Sequence, residues 1–207
     1  YGFPSKDMMM IGVTGTNGKT SVSGILQNML QGLQVKSALT GTIGFNLNGV
    51  LYDSANTTSD ALSTQQMIQR AKNEGCKSMI MEVSSHGLVL GRLTGVDFDI
   101  AIFTNLTHDH LDFHGTMEQY GQAKGLLFSQ LGQDLERTKH AIVNSDDEWS
   151  NRLKEMTGYP VWTYGIHQPA HFQGLNIKLQ ADCTKFDMKT PEGIFSVRMN
   201  LLGEFNV

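Results

Sequence analysis

The run Gly15-Thr16-Asn17-Gly18-Lys19-Thr20-Ser21 combines the residue types needed to hold a phosphate ester. Two glycines let backbone N–H groups approach phosphate oxygens, and Lys19 adds a mobile positive charge. Thr20 supplies a hydroxyl suited to a magnesium ion that bridges the outer phosphates. The common form of such a loop has glycine five residues before the Gly-Lys pair, whereas Val13 stands there, so this is a shorter loop. A glycine turn before a helix can be mere punctuation. The apolar strand ahead of it and the Lys-Thr pair at its end favour a phosphate cradle.

Two further groupings could do chemistry. Glu82 closes the apolar run Met79-Ile80-Met81, and a carboxylate at the end of a buried strand beside a nucleotide is a natural magnesium ligand. The competing reading bonds Glu82 to the neighbouring helix start. The loop from Thr104 to Gly115 carries His108, Asp109, His110, Asp112 and His114, a cluster costly to bury without a task or partners. Zinc is the first alternative to weigh. Against it, no thiol joins the cluster, and a triphosphate site calls for a hard, oxygen-seeking ion with at most one imidazole. His110 is the preferred metal ligand, leaving His108 and His114 at the surface or behind it, while His86 reads equally as structural or catalytic. Lys124, on a helix with Leu127 and Leu131 at helical spacing, reads on its own as a solvated lysine.

These groups need a scaffold that brings loops together. From Met8 to about Gly165 short apolar runs alternate with helical segments, which predicts a parallel sheet with helices on its faces. The strand candidates are Met8 to Val13, Ser37 to Thr40, Ser78 to Val83, Ile100 to Asn105, Ala141 to Asn144 and Val161 to Tyr164. The helices have their own punctuation: Gly32 after Ser21 to Leu30, Ser59 as the cap of a helix ending near Gly75, and a Thr116-x-x-Gln119 capping box before a helix closed by Gly132. Asn48-Gly49 between apolar alternations predicts a β-hairpin. After Gly165, Phe172 to Leu179, Thr184 to Met188 and Ile194 to Met199 read as antiparallel strands. The expected fold is therefore α/β, a P-loop-type, mostly parallel sheet flanked by helices, with a β-hairpin insertion and a small antiparallel β section near the C-terminal end. Ligands of such sheets gather beyond the carboxyl ends of the strands. That places residues 14–20, 40–42, 82–86, 105–110 and 144–147 on one rim.

Composition narrows the partners. The 207 residues include 40% hydrophobic ones, ample for one sizeable core, and the formal net charge of -4 offers no basic field, so no nucleic acid is expected. Cys76 and Cys183 lack metal-ligand spacing and read as reduced packing residues. No apolar run reaches the ~20 residues that span a bilayer, so no membrane insertion is expected; the expected location is the cytoplasm, as a monomer. Both ends read as cuts within a longer polypeptide.

Taken together, Gly15-Thr16-Asn17-Gly18-Lys19-Thr20, Glu82-Val83-Ser84-Ser85-His86 and Asn105-Leu106-Thr107-His108-Asp109-His110-Leu111-Asp112, followed by Ala123-Lys124, closely resemble the Mur ligase family of cell-wall peptide synthetases. The resemblance covers residues 1–207 as that family's central ATP-binding domain, without its UDP-binding and amino-acid-binding domains. Asn56-Thr57-Thr58 and Glu82 to Leu88 look most like the branch that joins a diamino acid, meso-diaminopimelate or L-lysine, to UDP-N-acetylmuramoyl-L-alanyl-D-glutamate. The resemblance implies an ADP-forming ligase using ATP and Mg2+ through an acyl phosphate. It implies that Lys124 is carbamylated and, with Thr20, Glu82 and His110, holds metal, and that Lys19, Glu82, His110 and Lys124 serve catalysis. It further implies that Asn56, Thr57, Thr58, Ser84 and Arg92 contact the UDP-sugar dipeptide. Many members of this branch carry glutamine where Leu90 stands, and leucine cannot make that hydrogen bond. Rival readings are a folylpolyglutamate synthetase-like ligase, which typically has glycine in place of Thr20, and a nucleotide-binding domain without chemistry. The segment alone is expected not to ligate.

Overall fold

The computed structural model describes residues 1–54, 56–131 and 136–207. The strands are β1 (Met9–Thr14), β2 (Ser37–Gly41), β3 (Gly44–Leu47), β4 (Val50–Tyr52), β5 (Ser78–Glu82), β6 (Ile100–Phe103), β7 (His140–Asn144), β8 (Val161–Gly165), β9 (Phe172–Leu179), β10 (Thr184–Thr190) and β11 (Gly193–Met199). Between them lie α1 (Lys19–Gly32), α2 (Ala61–Asn73), α3 (Ser85–Val89), α4 (Leu111–His114), α5 (Met117–Ser129) and α6 (Trp149–Met156). The strands form one sheet in the order β11-β10-β9-β8-β7-β6-β1-β5-β2-β3-β4. Its centre, from β2 to β9, is parallel, with an antiparallel hairpin at one edge and an antiparallel arm at the other. The C-terminal strands are thus no separate layer: Tyr164 and Gly165 of β8 pair with Phe172 and Gln173 of β9 in parallel.

Burial of both faces explains the continuous apolar runs of the central strands. Along β1, Met10 joins the core that includes Met79, Met81, Phe103, Leu127 and Phe128, while Ile11 and Val13 pack with Leu39, Ile80 and Ile102 under Val22, Leu26 and Leu30 of α1. Cys76 and Cys183 are free and buried. Among the described residues no helix is long and apolar enough to cross a membrane.

Local punctuation differs from expectation at three places. The chain leaves α1 through Gln34 in the left-handed region (φ 59°), so Gly32 is the last helical residue rather than the terminator. Asp60, not Ser59, caps α2, accepting from the Ser63 N–H at 3.0 Å, while the Ser59 hydroxyl pairs with Ser54 at 3.1 Å. Thr116 accepts from the Gln119 N–H at 3.2 Å, but its own N–H donates to His114 rather than to the Gln119 side chain, so only half of the capping box forms. Gly132, the expected end of α5, lies outside the described residues. The hairpin turns at Asn48-Gly49 as expected.

At the rim opposite the strands' carboxyl ends, Lys139 is wholly buried in an ion pair with Asp97 and donates to the Phe98 carbonyl at 2.9 Å. Asp97→Ala strands that ammonium in the interior. It is expected to destabilise the fold by about 3–5 kcal/mol, read as a lowered urea midpoint; an unchanged midpoint would show that Lys139 finds water or another acceptor.

Candidate active site

The loop between β1 and α1 is built for an anion. Gly18 is the helix N-cap in a left-handed conformation (φ 86°) open to glycine without strain, and no side chain caps α1. The first N–H groups of the helix and its positive dipole end therefore remain for a ligand. The outer wall comes from the chain after β6. Thr16 N–H donates to the Asn105 carbonyl at 2.8 Å, Asn17 N–H to Asn105 Oδ1 at 2.9 Å, and Thr104 Oγ1 to the Asn17 carbonyl at 2.6 Å. Lys19 folds back on its own loop, its Nζ donating to the Gly15 and Thr16 carbonyls at 2.8 Å each. Burial lowers its pKa from the ordinary lysine value, opposed by the charges of Glu82 and Asp109. Ser21, in the first turn of α1, is exposed.

Glu82, 1% exposed at the end of β5, turns away from α3 and toward the first turn of α1, so its bond to a helix start, the competing reading, is present as well. Its carboxylate accepts from Thr20 Oγ1 at 2.9 Å and from the Thr42 N–H and Oγ1 at 3.1 Å each. Any side chain at Gly41 would overlap this carboxylate, so glycine there is what lets Glu82 turn toward Thr20. Thr42 has a part that sequence reasoning did not assign, although it lay in a rim segment. Helix α3 is capped instead by Ser84, whose Oγ accepts from the Gly87 N–H at 3.0 Å. Thr20, Thr42 and Glu82 form a hard-oxygen set that fits magnesium, an ion that keeps waters and substrate phosphates in its remaining positions. Among the described residues no three His, Cys, Asp or Glu side chains converge as a metal cage.

Lys124 is not the solvated lysine that its helix alone suggests. It is 1% exposed, its Nζ donates to the Gly15 carbonyl at 2.9 Å, and it lies 4.2 Å from the centroid of the Tyr120 ring. Burial pulls its pKa down to about 7, and the charge of Lys19 pushes the same way. His110 precedes α4 as its N-cap, in a left-handed conformation (φ 52°), with a half-exposed ring 3.5 Å from Asp109 and 5.9 Å, centroid to centroid, from Tyr120. His114 is buried with its Nε2 2.9 Å from Ser85 Oγ, and burial lowers the pKa of both His114 and His86. His108 is exposed.

The remaining expected contacts line the side toward β2. Asn56 is exposed, and the Thr57 hydroxyl lies 3.1 Å from that of Thr42, which in turn reaches Glu82. Thr58 differs from the others in being 2% exposed, with its hydroxyl donating to the Glu82 carbonyl and accepting from the Ser84 N–H, both at 2.9 Å. It fixes the β5–α3 turn from within. Arg92 donates to the Thr58 carbonyl at 3.0 Å and so braces the same turn, while Leu90 is exposed. Asn144 donates to the Thr104 carbonyl at 2.8 Å and Asp147 accepts from the Leu106 N–H at 2.7 Å, which ties the rim loops after β6 and β7.

Comparison with known proteins agrees with this geometry. A family model described as the Mur ligase middle domain matches residues 13–207. The UDP-N-acetylmuramoyl-L-alanyl-D-glutamate–L-lysine ligase of Staphylococcus haemolyticus is 51% identical over 207 residues, which is 100% of this chain and 42% of that protein. A solved structure of a UDP-N-acetylmuramoyl-L-alanyl-D-glutamate–2,6-diaminopimelate ligase superposes with a TM-score of 0.87 at 33% identity, over 96% of this chain and 40% of the other. Mycobacterium tuberculosis folylpolyglutamate synthase shares the fold at a TM-score of 0.77 and 14% identity, over 99% of this chain and 53% of the other.

Proposed function

The chain belongs to the Mur ligase family, and from that premise we propose that its parent protein is an ATP-dependent amide ligase that adds a diamino acid to UDP-N-acetylmuramoyl-L-alanyl-D-glutamate. The observation that carries the reading is the Thr20–Glu82 contact at the foot of the phosphate loop, which sets hard oxygen donors beside the helix N-terminus. In the proposed reaction the acceptor carboxylate attacks the γ-phosphorus of ATP, ADP leaves, and the amine attacks the resulting acyl phosphate to expel phosphate. The N–H groups at the start of α1 and Lys19 hold the outer phosphates and oppose the charge that builds on them. Magnesium bound by Thr20 and Glu82 would neutralise the same oxygens.

Lys124 is the proposed site of a second metal-binding group. Its neutral amine attacks the carbon of CO2, an N–C bond forms, and a proton passes to water, leaving a carbamate whose oxygens suit magnesium together with His110. The lowered pKa supports this, because only the unprotonated amine reacts. Asn56, Thr57, Ser84 and Arg92 are the proposed contacts of the UDP-sugar dipeptide, with Thr58 holding them in place from below. Arg92 suits a carboxylate or phosphate.

The test is phosphate release by the full-length protein with Mg-ATP, supplied with the muramoyl dipeptide and either L-lysine or meso-diaminopimelate. L-lysine is offered first because the 51%-identical relative is named for it. Release dependent on the muramoyl substrate is expected. Release only with a folate and glutamate would move the protein to the folylpolyglutamate synthetases.

A further inference from the structure

Tyr120 stands between the phosphate loop and Lys124, and neither the phosphate contacts nor the metal donors account for it. It is 1% exposed, on α5, one helical turn before Lys124. Its hydroxyl lies 3.2 Å from Thr16 Oγ1, which also accepts from the Thr107 N–H at 3.0 Å. Its ring lies under the Lys124 ammonium, with the His114 ring 5.0 Å and the His110 ring 5.9 Å away between centroids. Lysine has a long, freely rotating stem. Here its Nζ is held between the Tyr120 ring and the Gly15 carbonyl.

We infer that Tyr120 is a positioning residue with two separable parts: its hydroxyl braces Thr16 in the phosphate loop, and its ring seats Lys124 against that loop. One rigid side chain thereby couples the nucleotide's grip to the placement of the group proposed to carry the carbamate. The ring part rests on the ligase reading of Lys124; the hydroxyl part needs only nucleotide binding.

The experiment uses the full-length protein. Mg-ATP dissociation constants are measured by calorimetry for Tyr120→Phe, Thr16→Val and the double variant, and Tyr120→Phe retains the ring and nearly all the volume. Tyr120→Phe is expected to weaken binding by about three- to tenfold and Thr16→Val by at least as much, since it also loses the bonds of Thr16 Oγ1 to Thr107, and the double by clearly less than the product, because the Tyr120–Thr16 bond is lost in both single variants. Losses that multiply, or a Tyr120→Phe protein that binds like the wild type, would overturn the brace. For the ring, the carbamate signal of the protein in 13C-bicarbonate is compared for Tyr120→Phe and Tyr120→Met. Phe is expected to keep the signal and Met to lose most of it while retaining its melting transition. A full signal with unchanged kcat in Tyr120→Met would overturn the seat, as would loss of the signal in Tyr120→Phe. Were the wild type to show neither carbamate nor amide product, the ligase reading would fail, and the binding cycle would still decide the brace.

Discussion

Lys124→Ala is expected to lower kcat of the full-length protein by about 10^2–10^3-fold, the usual cost of removing one group that stabilises transition-state charge. Mg-ATP affinity should change by less than about tenfold, because Lys124 is tied to the loop that would hold the phosphates by one hydrogen bond, from Nζ to the Gly15 carbonyl. Single-turnover phosphate release against calorimetric binding separates the two quantities. Turnover that survives the change would remove Lys124 from the chemistry and leave it a buried brace. The same substitution tests the electrostatics. With a folded value of about 7 against the ordinary 10.5, Lys124 is protonated in the unfolded chain but not in the folded one between those pH values. The wild type's stability therefore rises with pH across that window, and Lys124→Ala should flatten that part of the curve.

Lys19→Ala is expected to act differently, lowering kcat/KM by about 10^3-fold with losses in both nucleotide affinity and turnover. Lys19 is the one full positive charge contributed by the phosphate loop itself. In the proposed reaction it would exchange its bonds to the Gly15 and Thr16 carbonyls for bonds to phosphate oxygens. Lys19→Arg should not restore function, since a planar fork cannot replace a compact ammonium in so short a loop. Equal Mg-ATP affinity in Lys19→Ala and the wild type would place the phosphates elsewhere.

The α/β alternation was legible because buried parallel strands are written as short apolar runs, and Met9–Thr14, Ser37–Gly41 and Ser78–Glu82 fall within a residue of expectation at each end. The glycine turn that opens α1 was legible because it is contiguous in the chain. What local pattern could not show was the outcome of competition or long-range approach. Ser59 and Asp60 are both good caps, and only the path of the chain chooses Asp60. Lys124 looked solvated because its surroundings come from Gly15 and Lys19, more than a hundred residues earlier. Thr42 and Tyr120 escaped notice for the same reason. Nothing beside them in sequence shows that one meets Glu82 and the other Thr16. The parallel pairing of β8 with β9, which fuses the C-terminal arm to the main sheet, is likewise decided between strands rather than within one.

The bonds that assemble the site join residues far apart along the chain: 62 positions separate Thr20 from Glu82, 104 separate Thr16 from Tyr120, and 109 separate Gly15 from Lys124. No partly folded chain can offer such a site, because each contact waits on closure of a long loop and on registry of the central strands. A nucleotide that binds there binds the folded state alone. Its binding free energy adds to folding stability, by about 2.7 kcal/mol when free ligand stands at about 100 times Kd. Nucleotide at such levels is thus expected to lengthen the survival of this domain against proteolysis.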